Sequence, residues 1–181
     1  MSIDITDSTQ ELALEVSQLL RARRLRLAVA ESCTGGWVAT VLTGIAGSSS
    51  WFDRGYVTYS NESKQQMLGV RAETLAAHGA VSEQTVAEMT AGVLAQSGTD
   101  VALAISGIAG PGGGTVEKPV GTVYFAWQLK GEEAVTGREW FDGDRESVRR
   151  QAVIHALKQL SLQILVHLVT NTVTFSESGS G

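Results

Sequence analysis

The chain has 181 residues, a formal charge of −5 and a pI near 5.2, with 43% hydrophobic and 18% charged residues. That length supports one hydrophobic core. The acidity argues against the basic face that holds phosphate backbones, so no nucleic-acid partner is expected. One cysteine leaves no internal disulfide, the N-terminus has no signal-peptide pattern, and no apolar run reaches the roughly 20 residues that span a bilayer, so a cytoplasmic protein with no membrane partner is expected.

Ser8 and Glu11 have the spacing of a capping box, and Leu12, Val16, Leu19 and Leu20 form one stripe, predicting an amphipathic helix over 9–23. Leu25, Leu27 and Val29 then alternate with Arg26, Ala28 and Ala30 as in a short half-buried strand, and Trp37 to Ile45 shifts to helical spacing. Between them AESCTGG forms a strand-to-helix corner. After the GSSS turn at Gly47 to Ser50, WFDRGYVTYS predicts a second strand. Asn61 is placed as the cap of a short helix through Met67, ended by Gly69.

Ala72 to His78 predicts another short helix, with His78 at its loop-like end, and Ser82 caps a longer one that stops at Gly98. VALAIS (Val101 to Ser106) is apolar enough for a central strand covered on both faces, and it opens into GIAGPGGG. Gly121 to Leu129 and Ala134 to Phe141 predict an antiparallel hairpin, and a last helix starts at Asp144. Together these predict one three-layer α/β/α sandwich with a mixed sheet over residues 1–170, followed by a loosely held polar tail, 171–181.

Two corners, at Ser32 and at Gly107, follow strands, which is where α/β sheets bind ligands. Gly35 and Gly36 permit close approach of a ligand or of backbone, although Ser32 and Thr34 also suit plain helix capping. GIAGPGGG lacks the Lys-Ser/Thr pair of a nucleotide loop, but the N–H groups around Gly107, Gly110 and Gly112 suit phosphate or carboxylate oxygens, and Ser106 points toward the same crevice. Lys64, in the first turn of a helix capped by Asn61, has its pKa lowered by the helix dipole, as a general base requires; Tyr59 is expected nearby. Serine, lysine and a hydroxyl relay can perform acyl transfer without histidine. Arg145 and Arg149 share a helix face with Arg150 adjacent, which points to a bound anion or to pairing with Asp142, Asp144 or Glu146. The three histidines have no metal spacing, and Cys33 is either a thiolate nucleophile or a small buried residue.

AESCTGGW, AGSSSWFDRGYVTYSNESK, HGAVSE, SGIAGPGGG with KPVGTV, and GDRESVRRQA, in that order, resemble the C-terminal domain family of the competence-induced protein CinA. Members made of this domain alone are nicotinamide-nucleotide amidases. The resemblance, from about Glu11 to Leu165, implies hydrolysis of nicotinamide mononucleotide to nicotinic acid mononucleotide and ammonia, with no metal or cofactor and as a homodimer. No counterpart of the N-terminal molybdopterin-binding-like domain of longer CinA proteins is expected in these residues. Carried over by motif, the working residues are Ser32, Ser49, Tyr59, Lys64, Ser106, where relatives have Thr, and Arg145. Ser49 with Lys64 as base is the first choice of nucleophile and Ser32 the second, with an oxyanion hole near Gly47 or Gly107. A pyridine-nucleotide sensor without catalysis and an amidase built on Cys33 are the alternatives.

Overall fold

The computed structural model describes residues 5–177, and side chains over 8–167. Among them is a five-stranded sheet in the order β2-β1-β3-β4-β5, built from β1 Leu27–Glu31, β2 Phe52–Val57, β3 Val101–Gly107, β4 Thr122–Leu129 and β5 Val135–Trp140. β1 pairs in parallel with both β2 and β3, whereas β3–β4 and β4–β5 are antiparallel. The expected mixed sheet is therefore present.

Alternation of large and small residues decides what packs on each face. Leu27 and Val29 of β1, and Val101, Leu103 and Ile105 of β3, pack with α1 (Ile5–Arg23), α2 (Trp37–Thr43) and α6 (Arg145–Glu177). Ala28, Ala30, Ala102 and Ala104 make a low floor on the other face for Val86, Met89 and Val93 of α5 (Glu83–Ser97), alongside α3 (Asn61–Leu68) and α4 (Ala72–His78). Three layers result.

Several boundaries differ from the sequence expectation. The first helix starts at Ile5, so Ser8 lies within it and is not its cap. β1 is buried along its whole length, because β2 and β3 flank it and helices cover both faces. Ser60 caps α3, through a reciprocal capping box with Ser63, and Asn61 is the first helical residue. His78 is the last residue of α4. The last helix continues to Glu177, through residues assigned to the polar tail; 178–181 lie outside the described residues.

Candidate active site

The corner after β1 is held by Glu31. This strand-end carboxylate reaches forward to accept hydrogen bonds from the N–H groups of Gly36 and Val38, both at 3.1 Å, and of Ala39 at 2.9 Å. It thereby satisfies the first turn of α2, which the sequence reading assigned to Ser32 or Thr34. Gly36 has φ 94°, and no side chain of its own caps the helix there. The hydroxyls at the corner are left available for other work.

Lys64 is 1% exposed. Its Nζ donates to the Thr58 carbonyl at 2.7 Å and to Ser32 Oγ at 3.2 Å. Burial holds its pKa below the ordinary lysine range. The direction matches the sequence expectation, but the cause is desolvation; with Ser60 as cap, Lys64 sits one position deeper in the helix than supposed. The Cys33 thiol beside it is buried and pushed up to about 12, which makes it a poor thiolate. Thr34 Oγ1 and Thr58 Oγ1 are buried with no partner among the described residues, so the corner retains polar capacity.

The second corner and α6 close around the first. Arg145 donates from Nη1 to the Gly110 carbonyl and from Nη2 to Tyr59 Oη, each at 2.8 Å. Tyr59 thus lies with the arginine, and the bonds of Lys64 go to Ser32 and Thr58. Arg149 donates from Nε to the Cys33 carbonyl at 3.0 Å and from Nη2 to the Thr34 carbonyl at 2.9 Å, with its guanidinium 5.4 Å from the Trp37 ring. Neither arginine pairs with Asp142, Asp144 or Glu146 among the described residues; Asp144 instead accepts from Ser147 N–H at the start of α6. Ser106 Oγ donates to the Ala80 carbonyl at 2.7 Å, and a side chain at Gly112 would meet open space.

Ser32, Lys64, Tyr59, Arg145, Gly35, Gly36 and Gly110 are therefore joined in one bonded cluster or border it, and Ser106 and Gly107 end the adjacent strand. Ser49 lies elsewhere. It is exposed in a 3-10 turn, Ser48–Ser50, just before β2, and Phe52 pairs with Leu27 whereas Val57 pairs with Glu31. Ser49 and Gly47 thus sit at the end where β1 starts, about 16 Å of strand from Ser32. The chain does not bring Ser49 to Lys64. Sequence reasoning missed the Glu31 cap, the Thr58 carbonyl and the target of Arg149; the first two lie close in sequence to their partners but at no standard motif spacing, and the third is set by how α6 packs on the corner.

A mixed-sheet α/β protein with a buried serine–lysine pair at a strand-to-helix corner is the class that fold and site define. The chain belongs to the CinA C-terminal domain family, whose model matches residues 9–164. It is 59% identical over 162 residues to nicotinamide-nucleotide amidohydrolase PncC of Escherichia coli (strain K12), covering 89% of this chain and 98% of that protein. PncC of Pseudomonas putida is 48% identical over 154 residues, covering 85% and 96%. Among solved structures, the competence damage-inducible protein A of Klebsiella pneumoniae superposes with a TM-score of 0.84 at 50% identity over 87% of this chain and 97% of that one. The competence/damage inducible protein of Agrobacterium tumefaciens gives 0.83 at 43%, over 87% and 95%.

Proposed function

We propose that this protein hydrolyses the carboxamide of nicotinamide mononucleotide to nicotinic acid mononucleotide and ammonia, with Ser32 as nucleophile and Lys64 as general base. The observation that carries the mechanism is the buried Lys64 Nζ, 3.2 Å from Ser32 Oγ. Relatives named nicotinamide-nucleotide amidohydrolase support the substrate. In its neutral form Lys64 takes the Ser32 hydroxyl proton as Oγ attacks the amide carbon. N–H groups of the corner hold the oxyanion, and Lys64 passes the proton to the departing nitrogen, so that ammonia leaves when the C–N bond breaks. Water then attacks the acyl-serine ester, giving its proton to Lys64, and the ester bond breaks to release the carboxylate and return the proton to Ser32. Arg145 and the glycine loop grip the phosphate. The protein works in the cytoplasm, as its composition suggests, and as a homodimer, as the family resemblance implies; sedimentation at the mass of one chain overturns the second point.

The test is ammonia release from nicotinamide mononucleotide by wild type, Ser32→Ala, Lys64→Ala and Ser49→Ala, each checked for folding by circular dichroism. Wild type turns over, the Ser32 and Lys64 variants lose about a thousandfold or more, and Ser49→Ala loses much less. A folded Ser32→Ala protein with near-normal turnover removes Ser32 from the role. A wild-type protein that binds the nucleotide and releases no ammonia is a sensor.

A further inference from the structure

Arg149 touches none of the groups assigned so far to nucleophile or base, yet it is the side chain that grips the corner from above. Its Nε and Nη2 hold the carbonyls of Cys33 and Thr34 at 3.0 and 2.9 Å, and its Nη2 is 3.4 Å from the place a Cβ on Gly35 would occupy. In a trans peptide the C=O and the following N–H point in opposite directions. Holding the Thr34 carbonyl therefore sets the Gly35 N–H, which donates back to the Ser32 carbonyl at 3.0 Å. Holding the Cys33 carbonyl sets the Thr34 N–H in the same way, and that N–H has no acceptor among the described residues. A donor fixed on the residue pair after the nucleophile, and left unused, is suited to a developing oxyanion.

We infer that Arg149 is a positioning residue, which aims the Thr34 N–H at the oxyanion by clamping the two carbonyls that follow Ser32. The inference rests on the reading of Ser32 as nucleophile. Both hydrogen bonds of Arg149 go to the backbone of the corner, and the substrate phosphate is left to Arg145. The two roles separate kinetically. A positioning residue acts on the transition state of any amide processed at Ser32, whereas a phosphate ligand acts only on substrates that carry phosphate.

Arg149→Lys keeps a positive charge and loses the fork that holds two carbonyls. The expected result is a fall in kcat of about tenfold to a hundredfold on both nicotinamide mononucleotide and nicotinamide riboside, with KM within about twofold. Arg149→Gln, which drops the charge, gives the same pattern and stands in if the lysine variant does not fold. A loss confined to the mononucleotide, a loss carried by KM alone, or unchanged kcat in a folded variant overturns the inference. Ser32→Ala is run beside them: if it retains turnover, the premise fails, and if it is inactive while Arg149→Lys and Arg149→Gln are normal, only the positioning role fails.

Discussion

Lys64 is poised by what surrounds it, and this sets the pH dependence. Burial lowers its pKa, so the free-base form grows as pH rises through a value below the ordinary lysine range. kcat/KM should climb with pH along one limb centred below that range, and a limb at the ordinary lysine value contradicts the base role. The same sign governs stability: between the two pKa values the unfolded chain binds the additional proton, so stability rises with pH there. Lys64→Arg, permanently charged, should lose both the limb and the activity. Arg145 is the complementary case, because its guanidinium is exposed and bonded to the Gly110 carbonyl and Tyr59, at the mouth of the cluster. Arg145→Lys should lower kcat/KM for the mononucleotide by about tenfold to a hundredfold and leave the riboside nearly unchanged, on the order of 1.4 to 2.7 kcal/mol. An equal loss on the riboside would place Arg145 on the ring or amide.

The helix that carries Lys64 is seated by a glycine. A Cβ on Gly92 of α5 would lie 1.9 Å from the carbonyl oxygen of Leu68, the last residue of α3. Backbone does not yield as a flexible side chain does, so here glycine is required despite its helix cost of about 1 kcal/mol. Gly92→Ala should push α3 outward and destabilise by about 2–3 kcal/mol, a fall of roughly 4–12 °C in Tm by thermal unfolding. Lys64, one turn before Leu68, should move with it and lower kcat; a variant with a raised Tm refutes the contact. Elements of this kind were legible where chemistry is local: the nearly unbroken apolar run VALAIS places β3 at the centre, and Ser82 caps α5 where expected. They were illegible where neighbours compete. Ser60 and Asn61 can both cap a helix, and Ser63 settles the choice by accepting, at its Oγ, a hydrogen bond from the Ser60 N–H at 3.1 Å. Within one chain Ser49 is set apart from Lys64 for a topological reason: in a parallel sheet, residues just before one strand and just after its neighbour lie at opposite ends, whatever their motif chemistry.

Across the whole molecule, the cluster draws Ser32 from the end of β1, Lys64 from α3, the glycine loop from the end of β3, and Arg145 and Arg149 from α6. Activity and global structure should therefore be lost together in denaturant, with coincident midpoints by circular dichroism and ammonia release. Cys33 gives this architecture an internal clock. It is the chain's one cysteine, buried next to Ser32 at the corner, with its sulfur 3.0 Å from the place a Cβ on Gly107 would take. A thiol reagent can reach it only when the corner opens, so the labelling rate of the native protein, divided by that of the unfolded chain, measures the free energy of opening at that one point. Saturating nicotinic acid mononucleotide should slow labelling by the factor 1 + [L]/Kd, so that affinity at the site is read from a sulfur atom outside the proposed serine–lysine pair.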